Sequence, residues 1–180
     1  MRTLLDMEKS EGKSSNREIL IIDYGMGNIG SIVNSLEYLG AKYSISSNKK
    51  DLERAEAFIL PGVGAFAAAI NNLKKYDLVE VLTQQVIKYK KPFFGICLGM
   101  QLLAVDSDEL GFHNGLGWVN GHVRKIEGKT SLRVPHVGWN NLNAVKKKPL
   151  FANIEQEANF YFDHSCLLYT SPSPRDKRQS

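Results

Sequence analysis

From Glu18 to Gln101, short apolar runs alternate with stretches of helical periodicity, and this alternation limits the fold more than any other feature of the chain. Ile19-Leu20-Ile21-Ile22 is a continuous apolar run, which suits a strand covered on both faces. Ile29, Ile32, Val33, Leu36 and Leu39 then recur at helical spacing, and Gly40 follows where a left-handed helix cap sits. Ala41 to Ser46, Ala57 to Leu60 and Lys91 to Ile96 read as further strands, with helical segments over Phe66 to Leu73 and Leu78 to Tyr89. Strands alternating with helices predict an α/β fold with a parallel sheet and helices on both faces.

At 180 residues the chain is the size of one domain, able to bury roughly two thirds of its unfolded surface. With 43% hydrophobic and 23% charged residues it has a globular composition, and no apolar run approaches the roughly 18 residues of a membrane span. Met1 to Arg17 is polar and mixed in charge and lacks the apolar core of a secretory signal, so the cytoplasm is the expected location. The net charge is +4, but Arg175, Lys177 and Arg178 against Asp176 give the tail +3 and −1, which leaves the body without a nucleic-acid footprint. Cys97 and Cys166 lie far apart in settings unlike a disulfide framework or a metal site.

Beyond Gly111 the texture changes to Gly- and Asn-rich turns between strand-like pieces at Trp118 to Ile126, Leu132 to Val137 and Asn159 to Phe162, a β-rich and antiparallel half. From Cys166 the Pro, Ser and charge content predicts a disordered end. The chain therefore divides into a polar extension over 1–17, a domain over 18–165 and a tail over 166–180 that reads as foreign to it.

Phe93-Phe94-Gly95-Ile96-Cys97-Leu98-Gly99-Met100-Gln101 is an apolar strand running through Gly-x-Cys-x-Gly into a helix, the thiol form of a nucleophile elbow. Small residues on both sides let the chain turn sharply and leave backbone N–H groups beside the sulfur for an oxyanion. The competing reading is a buried structural thiol. Pro61-Gly62-Val63-Gly64-Ala65-Phe66 follows another strand end, and in a parallel sheet it lies on the same edge as Cys97. It is either a plain turn or an oxyanion-donating loop. Gly25-Met26-Gly27-Asn28-Ile29-Gly30 fits the dinucleotide fingerprint of a Rossmann protein. Against that, Ser46, Ser47 and Asn48 stand where the ribose-binding acid belongs, and Asp51 reads as the cap of a helix beginning at Leu52. Among the histidines, His113 and His122 read as solvent-exposed, whereas His136 and His164 have settings from which either could serve Cys97 as a base.

Taken together, Asp23-Tyr24-Gly25-Met26-Gly27-Asn28, the Pro61 to Phe66 segment, the elbow and Pro135-His136-Val137-Gly138-Trp139-Asn140 closely resemble the glutaminase subunits of imidazole glycerol phosphate synthase, within the class I glutamine amidotransferase family. The resemblance runs from Glu18 to Ser165 and implies a flavodoxin-like sheet. It implies that Cys97 attacks the side-chain amide of glutamine to form a thioester, with Gly62, Val63, Gly64 and Leu98 around the oxyanion. Gly64, Gln101, Glu109, His164 and Ser165 match positions that hold the substrate, and Asn28, Pro135, His136, Trp139 and Tyr161 match the surface met by a (β/α)8-barrel cyclase. No cofactor or metal is implied. Related glutaminases feed sugar-modifying synthases of surface-polysaccharide pathways, so that acceptor stands as an alternative, as does a docking module without chemistry. The family also carries a His-x-Glu base segment that these 180 residues do not contain, so the domain is expected to be incomplete and little turnover is expected of the chain.

Overall fold

A computed structural model of the chain describes residues 17–127, 134–141, 151, 154–155 and 157–170. The polar extension over 1–16, Leu132, Arg133 and the tail over 171–180 lie outside the described residues.

Four parallel strands form the central sheet in the order β2-β1-β3-β4: β1 is Ile19–Ile22, β2 is Tyr43–Ser46, β3 is Ala57–Leu60 and β4 is Phe93–Gly95. Helices α1 (Ile29–Tyr38), α2 (Lys49–Arg54), α3 (Phe66–Lys75) and α4 (Leu78–Thr83) occupy the crossovers, and α4 runs into a wider π turn over Gln84–Lys88. The continuous apolar runs of the strands serve both faces. Leu20, Ile22, Phe58 and Leu60 point into a core with Phe66, Ile70, Leu73, Leu78 and Leu82, while Ile21 and Ile59 turn the other way, against Ile29, Ile32, Val33 and Leu36 of α1. The apolar residues of the central strands β1 and β3 thus find helices on both faces, which is why a parallel sheet needs such strands, whereas Ile45 of β2 and Phe94 of β4 at the sheet edges stay exposed. Among the described residues no helix is long and apolar enough to cross a membrane.

The second half builds two smaller sheets. β5 (Asp106–Ser107), β6 (His113–Asn114), β7 (Gly121–Lys125) and β10 (Cys166–Thr170) pair in the order β10-β7-β5-β6, antiparallel except for β5 with β7. β8 (His136–Asn141) and β9 (Asn159–His164) form a two-stranded antiparallel ribbon.

Three sequence expectations are corrected. β4 is shorter than the Lys91 to Ile96 run, because Pro92 brings no N–H to the ladder and Lys91 turns away to donate from Nζ to the Glu53 carbonyl at 2.8 Å. Asp51 does not cap α2: Asn48 does, its side chain accepting from Lys50 N at 2.9 Å, while Asp51 sits inside the helix and accepts from Ser46 Oγ at 2.6 Å. The predicted disorder from Cys166 fails over its first five residues, which pair with β7 from Cys166↔Lys125 to Thr170↔Gly121. Cys-Leu-Leu-Tyr-Thr is apolar and strand-favouring by itself, and the prolines and charges begin only after it.

Candidate functional site

β4 ends at Gly95, and Ile96 N donates to the Leu60 carbonyl at 2.9 Å, which carries the chain along β3 before it turns. Cys97 then adopts φ +53 and ψ −116, a left-handed backbone that a non-glycine residue occupies at a cost of about 1–3 kcal/mol. α5 (Leu98–Gln101) starts at once, with Met100 N and Gln101 N donating to the Cys97 carbonyl. A Cβ at Gly99 would collide with the Leu60 carbonyl, so a bare backbone there is what lets α5 settle on the end of β3. The result is an exposed Cys97 thiol at the carboxyl edge of the parallel sheet.

The loop after β3 lies directly against this elbow, Gly62 packing on Leu98 and Gly99. Gly64 has φ +99. Fully buried Tyr24 holds the start of the loop, donating from its hydroxyl to the Pro61 carbonyl at 2.8 Å. Burial pushes the Tyr24 phenol well above its ordinary range, and the nearby Cys97 charge pushes the same way. It therefore remains a donor at neutral pH. The Gly-rich turn after β1 is also engaged: a Cβ on Gly27 would stand 2.6 Å from the Pro61 ring. With Gly27 packed on Pro61 and Asp51 bonded to Ser46, neither the glycine nor the acid that dinucleotide binding needs is free.

A cavity of about 280 Å³ opens at Cys97, at the small end of ligand sites. Its walls bring together Val63, Gly64 and Leu98, which the resemblance sets around the oxyanion, with Gln101, Glu109, His164 and Ser165, which it sets around the substrate; Gly62 is not among the lining residues. Asp163 and Cys166 join them without having been anticipated. Glu109 is half-buried, not a freely solvated loop charge, and its Oε2 accepts from Phe66 N at 2.7 Å. Gln101 Nε2 reaches the Cys166 carbonyl at 3.5 Å. Burial raises the Cys166 thiol above its usual value, reinforced by Glu109 and Asp108, and the thiol donates to Glu109 Oε1 at 3.9 Å.

His164 Nδ1 lies 3.1 Å from the Cys166 carbonyl and its Nε2 lies 3.1 Å from His136 Nδ1. Since a carbonyl can only accept, Nδ1 of His164 carries a hydrogen; in the neutral pair His136 then donates to His164 Nε2. Both ring nitrogens of His164 are thereby occupied. Among the described residues no hydrogen bond joins Cys97 to a histidine, and no cluster of three His, Cys, Asp or Glu side chains is placed to hold a metal ion. His113 and His122 are half-buried, not free in solvent: His122 sits in β7 with Nδ1 2.9 Å from Asp106 Oδ2.

The residues matched to a partner surface divide between two faces of the ribbon. Trp139 pairs with Tyr161 across the strands, rings 5.6 Å apart, and both are open to solvent at 73% and 57% exposure. His136 pairs with His164 on the opposite face, where it stacks on Phe162. His136 and Trp139 therefore face opposite sides of the ribbon, because strand side chains alternate and 136 and 139 differ by an odd number. Pro135 is exposed just before β8, and Asn28 caps α1, accepting from Ser31 N at 3.3 Å. Tyr24 carried no sequence signal beyond its place in the Asp-Tyr-Gly-Met-Gly-Asn run; its depth shows only in three dimensions.

The glutamine amidotransferase class-I family model matches residues 20–177. The chain is 45% identical over 150 residues to imidazole glycerol phosphate synthase subunit HisH 2 of Pseudomonas aeruginosa, covering 83% of this chain and 74% of that one. It is 48% identical over 147 residues to subunit HisH of Bacillus cereus, covering 82% and 69%. Among solved structures, a glutamine amidotransferase from Thermotoga maritima aligns with a TM-score of 0.54 at 18% identity, covering 86% of this chain and 63% of that one. Another glutamine amidotransferase crystal structure gives 0.56 at 18% identity, covering 68% and 62%; at such identity the likeness concerns the fold. The family match runs through the parallel sheet, the elbow and the pocket wall alike, and the chain belongs to the class-I glutamine amidotransferase family.

Proposed function

We propose that this chain is the glutamine-hydrolysing subunit of an imidazole glycerol phosphate synthase, supplying ammonia to a (β/α)8-barrel cyclase in histidine biosynthesis. The observation that carries it is Cys97, exposed on a strained elbow and facing a pocket with Gln101, Glu109, His164 and Ser165 around it. In the proposed reaction the Cys97 thiolate attacks the side-chain carbonyl carbon of glutamine. The oxyanion develops beside the backbone N–H groups of Leu98 and of the Gly62–Gly64 loop; as it collapses the C–N bond breaks, the leaving nitrogen takes a proton from water and departs as ammonia, and the glutamyl thioester that remains is cleaved by water to glutamate and the free thiol. The Glu109 carboxylate faces the α-ammonium. The exposed face of Trp139 and Tyr161, with Asn28 and Pro135, receives the cyclase.

None of His113, His122, His136 and His164 begins a His-x-Glu sequence. Because ammonia leaves only with a proton, and a positioned base or acid contributes about 10²- to 10⁴-fold, Cys97 is expected to react with an alkylating glutamine analogue far better than these 180 residues turn glutamine over. A chloroketone analogue of glutamine tests this, since its chloride leaves without being protonated. Cys97 is expected to be alkylated, glutamine to protect it and Cys97→Ser to abolish rapid labelling, while steady glutamate release stays low. Labelling without glutamine protection would remove the substrate assignment.

A further inference from the structure

Glu109 directs its two carboxylate oxygens to different parts of the site. Oε2 accepts from Phe66 N, the first residue of α3, at 2.7 Å. Helix α3 has no cap of its own: Ala65 occupies the cap position and offers no side-chain acceptor, so the acceptor arrives from 43 residues further along the chain. Fully buried Ser107 in turn fixes the Glu109 backbone, its Oγ accepting from Glu109 N at 3.1 Å. Oε1 has only the long contact from the Cys166 thiol, at 3.9 Å, and Glu109 and Cys166 both line the cavity. At the far end of the same loop Tyr24 holds the Pro61 carbonyl. The loop between β3 and α3 is thus tied at both ends by side chains from elsewhere, and between the ties Val63 is exposed and Gly64 holds φ +99.

We infer that Glu109 is a positioning residue that couples capture of the substrate's α-ammonium to the setting of the Gly62–Gly64 loop, an inference that rests on the glutaminase reading above. An ammonium against Oε1 restricts rotation of the carboxylate, and a restricted carboxylate holds Phe66 N, and through it the end of the loop, more firmly. Because coupling between two sites is reciprocal, a loop already set favours the cation in turn. The part of the substrate that does not react would then arrange the backbone donors that meet the part that does.

The variants separate charge from reach. Glu109→Gln keeps an oxygen for Phe66 N without the negative charge, Glu109→Asp keeps the charge but shortens the reach, and Glu109→Ala removes both. Two readouts are taken on the folded full chain: amide hydrogen exchange over Val63–Phe66, and the concentration dependence of Cys97 alkylation by the chloroketone. Saturating glutamine is expected to slow exchange in the unmodified protein about fivefold or more, the lower end of typical coupling. Without ligand, exchange should rise in Glu109→Ala and Glu109→Asp and stay unchanged in Glu109→Gln. Glu109→Gln should weaken half-saturation while keeping the maximal alkylation rate, whereas Glu109→Ala loses both. Unchanged exchange in Glu109→Ala, or equal maximal rates in the Gln and Ala variants, overturns the inference. Failure of the glutaminase reading shows separately, as an unmodified protein that the chloroketone does not label selectively, and the ligand-free exchange comparison then still decides whether Glu109 ties the loop.

Discussion

Cys97 and Cys166 line one cavity from opposite environments. The first is exposed on the elbow, and the second is buried with its thiol raised by burial and by the Glu109 and Asp108 carboxylates. Since the thiolate is the reactive form, pulsed iodoacetamide should modify Cys97 well before Cys166 in the folded chain, and mass mapping should show the difference disappear in denaturant. Equal rates in the folded state would contradict the burial of β10. Gly99 allows a second test. Adding a methyl group at Gly99→Ala drives it into the Leu60 carbonyl, and overpacking of this kind costs about 1–3 kcal/mol. The urea midpoint should fall accordingly and Cys97 alkylation should slow; an unchanged midpoint would mean that α5 does not rest on β3 as described. The turn of the elbow was legible in the sequence because glycines flank the thiol where an apolar strand runs into a helix, though a buried structural thiol fitted the same pattern. Tyr24 was not, since a tyrosine in a glycine-rich turn carries no mark of depth.

At the scale of elements, strand alternation gives the β8–β9 ribbon two different faces. Val137, Trp139 and Tyr161 face solvent, whereas His136, Phe162 and His164 face inward. Trp139→Ala should therefore weaken cyclase binding by more than about tenfold, roughly 1.4 kcal/mol, with little change in thermal midpoint, while His136→Ala should disturb the His164 contact. Titration calorimetry and thermal unfolding on both variants separate these effects. The second sheet has its own electrostatic lock. Arg124 and then His122 hydrogen-bond Asp106 and hold its carboxyl below the usual value, against the opposing effect of burial. A depressed carboxyl contributes stability above its unfolded pKa of about 3.9 and loses it as pH falls through the lower folded value. Denaturant midpoints should hold from pH 7 to 5 and decline below about pH 4, and Asp106→Asn should flatten that decline. None of this lock was visible in sequence, because β5 is two residues long and its partners stand 16 and 18 positions away.

For the whole molecule, the parallel sheet was readable because parallel pairing follows from alternating strands and helices, and helices cover both of its faces as expected, while the strand order β2-β1-β3-β4 was not legible. The second half was readable only as β-rich, since short strands joined over long separations leave no period in the chain. Glu109 and His164 were likewise placed by resemblance, not by pattern, and the geometry now shows why: the cavity has no single parent element. Cys97 and Gly64 come from the parallel sheet and its loops, Glu109 and Cys166 from the mixed sheet, and Asp163 and His164 from the ribbon. An occupant of that cavity touches all three sheets at once, and therefore acts on folding by mass action as a non-covalent cross-link. At a hundredfold excess over its dissociation constant it adds about 2.7 kcal/mol to the bound state, and the protection should extend to β7 and the ribbon as well as to the elbow.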